Sequence, residues 1–285
     1  MIQAVLKYTF MQNAIFAAIL ASIVAGVIGT IVMEKKLVSM SGGIAHASFG
    51  GIGLGYLLNF EPIWGGLVFA VGSSLVISKI SKNGKIKADT LTGILWSFGM
   101  ALGILFIALS PGYMPDMTSY LFGDILSVSN SSLIYMAVFT VIITFLFIMF
   151  FNAFMLYLFD EEYAKSTGMK TNVLETLTYI MIPMGIIVLI KIVGIILTIA
   201  LMTIPVSISK MLFKSLKQVV FSTIVTSIIL CFAGITLSYY INIPSGACII
   251  LFSTLVYFII WLFKIGLRKW LHSHRKHGEG HMEHH

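Results

Sequence analysis

The stretch Tyr8–Met33 reads YTFMQNAIFAAILASIVAGVIGTIVM, and Glu34-Lys35-Lys36 follows at once. Its twenty-six residues include no Lys, Arg, Asp or Glu. About 20 apolar residues cross the ~30 Å hydrocarbon core of a bilayer, so this stretch predicts a membrane-spanning helix. The residues before it form no basic region with a small-residue cleavage site, so it is expected to be a retained span and not a removed signal.

Outward from it, eight more apolar segments follow: 37–58, 63–80, 90–109, 133–158, 173–190, 194–212, 219–240 and 247–261. Segment 194–212 follows its predecessor with almost no turn and contains Pro205. It reads as a broken or tilted helix, which a bilayer tolerates only where protein or a cavity satisfies the freed backbone groups.

Basic residues cluster at Lys35-Lys36, Lys79 to Lys87, Lys165 and Lys170, Lys210 to Lys217, and Lys264 to Lys276. The intervening turns near 59–62, 110–130 and 239–245 hold no Lys or Arg; only Lys7 and Lys191, of eighteen basic residues, break the pattern. Basic loops stay cytoplasmic. The expected fold is an all-α integral membrane protein, a polytopic bundle of eight or nine transmembrane helices, with the N-terminus outside and the C-terminus cytoplasmic. Residues 1–266 are expected to form one transmembrane domain, and 267–285 a cytoplasmic basic, His-rich tail.

Composition agrees. Hydrophobic residues make up 58% and charged residues 10%, against about 45–50% and 25% in soluble domains. Mean hydropathy is +1.00. The net charge of +7 therefore reads as basic loops beside anionic lipid, not as a nucleic-acid surface. Cys231 and Cys248 lie in apolar runs and read as buried small hydrophobes. No G-x-x-x-x-G-K-[ST] phosphate loop, H-E-x-x-H or C-x-x-C occurs, so any ATP-driven work needs another subunit.

The second segment carries the most specific signal. In Ser41–Gly55, the residues Gly43, Ala47, Gly51 and Gly55 recur every four positions, a smooth ridge on which helices approach closely in lipid. His46 lies beside that ridge, nine residues from Leu37 and so roughly 14 Å along the helix, near mid-membrane. An ionisable side chain at that depth usually faces an interior path. His46 either bonds a carbonyl of a neighbouring helix or serves as a ligand or relay on a cation path, and neutral imidazole binds Zn, Mn or Fe ions.

The outer turns carry Glu61, Asp116 and Asp124, either a cation-concentrating vestibule or ordinary solvated carboxylates. On the basic side, 159–168 predicts a short capped helix: Asp160 as N-cap, Glu161 and Glu162 in the first turn, Gly168 after the end. A capped helix where a plain turn would serve points to a docking site, with a solvated linker as the alternative.

These stretches resemble the membrane subunit of the ABC importers for zinc, manganese or iron. The resemblance runs from about Val32 to Trp261. It rests on 41–56 with its His46-Ala47, 88–93 (ADTLTG), 120–126 (YLFGDIL), 159–168, 193–205 and 238–246 (SYYINIPSG). It implies a multi-pass cell-membrane permease without catalytic residues or a resident cofactor, working as a homodimer around a central path. It implies a cytoplasmic ABC ATPase, an extracytoplasmic metal-binding protein that delivers the ion, and a transported divalent metal at His46. It also implies that Asp160, Glu161, Glu162, Tyr163, Ala164, Lys165 and Gly168 form the helix received by the ATPase. One departure stands out: many members carry an acidic residue four positions before the histidine, where this chain has Gly42.

The tail holds six of the seven histidines: His272, His274, His277, His281, His284 and His285. Such tracts bind transition metals, though a basic tail with incidental affinity fits equally. Rival readings are a permease for a metal chelate and a secondary transporter without an ATPase. Lys191 and Glu175 are the only embedded charges such a carrier could use, and both lie near segment ends.

Overall fold

The computed structural model describes residues 8–82, 84, 86–111, 123, 125, 128–241 and 243–279, with the side chains of Ile192 and of residues beyond 266 left undescribed. Among the described residues all regular structure is helical. In chain order the helices are α1 Thr9–Glu34, α2 Val38–Leu57, α3 Pro62–Lys82, α4 Ala88–Leu109, α5 Asn130–Met149, α6 Phe151–Phe159, α7 Glu161–Ser166, α8 Thr171–Leu212, α9 Leu216–Ile241 and α10 Ser245–Glu279.

Eight stretches are long and apolar enough to cross a membrane: α1, α3, α4, α5, α9, Thr171–Lys191 and Val193–Leu212 within α8, and Ser245–Gly266 of α10. Helix α2 falls short on hydropathy because it is built from Gly, Ser and His46, yet fourteen of its twenty residues are buried. Protein buries it instead, with α3 and α4 as its walls. The other inner helix is α1, packed on α8 and α9. Helices α4, α5 and α10 leave most of their surface open, as lipid-facing helices should.

The ion pairs sort the ends of the bundle. Lys35–Glu161, Lys82–Glu175 and Lys210–Glu34 lie at one end. There Lys264 also donates to the carbonyl of Met211. Lys191–Glu61 lies at the other end, where Asn13 donates to the Val128 carbonyl and to Asn130. The chain is therefore at the first end at Glu175, at the second at Lys191, and back at the first by Lys210. The 42-residue helix α8 is two antiparallel spans. The reversal sits at Gly194, whose φ of 76° and ψ of 172° are non-helical; only glycine enters that region freely. The break expected from Pro205 is absent, since 205 lies inside the returning span. Glycine and not proline makes the turn.

Two boundaries differ from expectation. Segment 133–158 divides into α5 and α6 at Phe150 (φ −104°, ψ 19°), where Phe147 stacks edge-on against Phe151. No Gly or Pro marks that break. Helix α10 continues past the last span to Glu279, through the first part of the segment read as a tail.

Candidate functional site

The small-residue ridge of α2 exists but serves two partners. A Cβ added at Gly43 would collide with Thr92 of α4, and one at Gly99 of α4 would come 2.5 Å from Ala47. A Cβ at Gly51 would collide with the Gly65 backbone of α3, and one at Gly55 would lie 2.6 Å from Pro62. Gly43 and Ala47 thus face α4, while Gly51 and Gly55 face α3. A second ridge joins them: Gly53 abuts the Gly103 carbonyl, and Gly50 abuts Gly99 and Phe69. At Gly51, Gly53 and Gly55 the obstacle to a Cβ is backbone below 3.0 Å, and the close approach wedges α2 inside the bundle.

His46 is half-buried on this wedge. Its ring stacks face to face on Trp96 of α4, with centroids 4.3 Å apart and planes 7° from parallel. Its Nδ1 is buried without a hydrogen-bond partner, so that nitrogen does not bond a neighbouring carbonyl. One turn earlier, a Cβ on Gly42 would sit 3.3 Å from Ile199 Cδ1. An aliphatic side chain of the returning span of α8 thus crowds the position where an acidic residue would stand. Among the described residues no three His, Cys, Asp or Glu converge as a metal site. One chain offers one imidazole held flat by an indole.

Trp96 was not singled out by sequence reasoning. Its signal is position: it lies near the middle of α4, whereas membrane Trp concentrates at the interfaces.

At the end of the bundle marked by Lys35 and Glu175, α7 is built as its residues predict. The Asp160 side chain accepts from the Tyr163 N–H at 2.8 Å, and Gly168 turns at φ 78°. The helix spans six residues, shorter than the whole 160–168 stretch. Glu162, Tyr163, Lys165 and Gly168 are exposed, but Ala164 is fully buried. Ala164 faces the interior beneath the helix, unlike its exposed neighbours. Glu161 binds Lys165 at 2.8 Å and Lys35 at 3.0 Å. Hydrogen bonds from these two ammonium groups, Lys165 first, hold its carboxyl below the usual carboxylate range, and the same pairing raises Lys165. His46 and α7 are separate sites on different elements, and no direct contact joins them.

Of the outer acids, Glu61 pairs with Lys191 at 3.5 Å; Asp116 and Asp124 lie outside the described residues, as do His281, His284 and His285. The side chains of His272, His274 and His277 are likewise undescribed.

The model of the ABC 3 transport family matches residues 7–264. An uncharacterized membrane protein of Synechocystis sp. is 37% identical over 264 residues, covering 93% of this chain and 94% of that protein. The manganese transport system membrane protein MntC of Listeria monocytogenes is 27% identical, over 92% of this chain and 93% of its own. Among solved structures, PsaBC from Streptococcus pneumoniae, in complex with Fab, superposes with a TM-score of 0.83 at 29% identity, over 91% of this chain and 94% of that chain.

Proposed function

Because the chain belongs to the ABC 3 transport family, we propose that it is the permease subunit of an ATP-driven importer of a divalent transition-metal ion, zinc, manganese or iron. The relative named for manganese transport favours that ion among the three. The observation that carries the reading within the structure is His46: an imidazole near the middle of the small-residue helix α2, its Nδ1 unpartnered.

The lone imidazole supports a homodimer. One histidine with no nearby carboxylate holds a divalent ion weakly; a second copy facing the first supplies a second imidazole. Weak holding suits a path, since an ion that must leave cannot be caged. Trp96 keeps the ring in one orientation through its stacked face.

The end bearing Lys35, Lys82 and Lys210 is cytoplasmic on this reading, with the N-terminus outside, because basic loops remain there. Helix α7 then faces the cytoplasm as the coupling helix, with Glu162, Tyr163 and Lys165 presented to the ATPase. ATP binding in that partner moves α7, α2 shifts on its glycine ridges, and the path past His46 opens to one side at a time. An extracytoplasmic protein delivers the ion at the Glu61–Lys191 end. The permease itself makes and breaks no covalent bond. A secondary carrier fits less well: Glu175 and Lys191, the embedded charges it could use, lie at the ends of the bundle in pairs with Lys82 and Glu61.

The test is His46→Leu in the assembled importer reconstituted in proteoliposomes, with Mn2+ uptake as the readout. Uptake is expected to fall at least tenfold while the complex still copurifies and hydrolyses ATP. Unchanged uptake would remove His46 from the path.

A further inference from the structure

Lys35 occupies the turn between α1 and α2, and three contacts converge on it and its neighbour. Its Nζ lies 3.0 Å from Glu161 Oε2, on α7. The same ammonium sits 3.4 Å from the centre of the Tyr157 ring, on α6. The preceding residue, Glu34, binds Lys210 at 3.0 Å, at the end of the returning span of α8. Neither half of this hub is loose: the Lys35 and Glu34 side chains retain only 17% and 15% of their exposure.

The turn itself is stiff. Lys36 is held at φ 57°, a left-handed conformation that a lysine adopts only under constraint. The Leu37 N–H closes back on the Val32 carbonyl at 2.8 Å. Helix α2 begins at the next residue, Val38, and His46 follows eight residues later, roughly 12 Å along the axis. The partner helix Val193–Leu212 carries both Lys210 and Ile199, which packs over Gly42 one turn from His46. A displacement of Glu161 therefore reaches both walls of the His46 position through rigid pieces. The first wall is reached through Lys35 and the constrained turn, the second through the adjacent Glu34–Lys210 pair.

We propose that Lys35 is a positioning residue that ties the coupling helix to the helix bearing His46, so that movement of α7 is delivered to α2 by the Lys35–Glu161 bridge. Among the described residues, Glu161 is the α7 residue with an ion pair outside its own helix, while Ala164 is buried beneath it. The proposal rests on the reading of α7 as the element received by the ATPase.

The test uses the complete importer in proteoliposomes and measures Mn2+ uptake and ATP hydrolysis side by side. Lys35→Glu and Glu161→Lys each place like charges together. Each is expected to cut uptake at least tenfold while ATP hydrolysis stays within about threefold of the parent, an uncoupled importer. Because Glu161 also pairs with Lys165, the double charge exchange K35E/E161K is made with Lys165→Glu, so that no like charge faces position 161; it restores the bridge with reversed sign and is expected to recover at least half of the uptake. Lys35→Arg should transport normally. A purely structural role would not be rescued by exchanging the charges. Where Lys35→Glu fails to copurify with the ATPase, Lys35→Met replaces it, with the same expected uncoupling. Single variants that transport within twofold of the parent, or a charge-exchanged variant that assembles yet transports no better than the singles, would overturn the proposal. A cysteine at Glu162 separates this from the underlying reading. If it crosslinks to the ATPase while Lys35 variants transport normally, only the bridge fails. If it gives no crosslink in an active importer, the reading of α7 fails and takes the proposal with it.

Discussion

Gly51→Ala tests the wedge on which the site depends. A Cβ at Gly51 would fall on the carbonyl of Gly65 and within 2.9 Å of the Gly66 nitrogen. Every obstacle is backbone, so no rotamer change relieves the clash; with the Gly65 oxygen at 2.0 Å, α2 and α3 must part by roughly 1.4 Å to restore ordinary contact. Overpacking of this kind costs about 1–3 kcal/mol, occasionally more. Alanine returns about 1 kcal/mol through its better helix propensity, and the parted helices forfeit dispersion along the rest of the interface. The net expectation is a loss of about 2 kcal/mol. On the scale of soluble domains of similar size, that lowers the melting temperature by about 4–8 °C. Gly93→Ala and Gly72→Ala are the controls. They lie on α4 and α3 with nothing within 4 Å of an added Cβ, and should melt at or slightly above the parent. The assay is thermal unfolding of the detergent-solubilised complex followed by size exclusion. A Gly51→Ala protein as stable as the parent, or a Gly93→Ala protein as damaged as Gly51→Ala, would refute the argument from close approach.

Three other outcomes are expected. With Cys231 and Cys248 both buried, single introduced cysteines report topology cleanly: one at Asn59 should react with an impermeant maleimide in intact cells, and one at Thr167 only in inverted vesicles. A cysteine at Tyr163 should crosslink to the ATPase, whereas one at Ala164, fully buried, should neither crosslink nor label. Because the Glu161 carboxyl is held below its usual range by Lys165 and Lys35, its contribution is complete above the ordinary carboxylate pKa of about 4.3 and is lost only as pH falls through the lower folded value. The protection factors of the α7 amides, exchange corrected for its intrinsic pH dependence, should therefore be flat from pH 8 to about 5, and at neutral pH they should fall in Glu161→Gln.

The bundle was largely legible because membrane burial and loop charge act on composition, which needs no knowledge of contacts. Lys79 to Lys87 and Lys210 to Lys217 mark turns whatever packs above them. What stayed hidden depends on which helices meet. Helix α2 is less apolar than the other long helices, and only its neighbours reveal how deeply it is buried. The Phe150 break has no Gly or Pro, so aromatic packing and not backbone preference sets it. Ala164 looks like any residue of an exposed helix until α7 is docked. His46 could be singled out alone, but Trp96, fifty residues on, could not be joined to it without the α2–α4 register.

Lys191 carries the same lesson to the topology. Counted by sequence, it contradicts the charge pattern, since it stands among turns otherwise free of Lys and Arg. In the structure it is paired with Glu61 at 3.5 Å, both side chains partly exposed. A basic residue opposes translocation, and Glu61, on the neighbouring turn between α2 and α3, pairs with this one in the folded bundle. Exposed pairs contribute about 0–1 kcal/mol to stability, so the pair matters less for holding α3 to α8 than for letting the reversal at Gly194 lie on that side. Glu61→Gln should then leave the melting temperature nearly unchanged. It should raise the fraction of chains in which a cysteine at Asn59 is shielded from impermeant maleimide. A fraction identical to the parent would show that the glycine turn needs no such neutralisation.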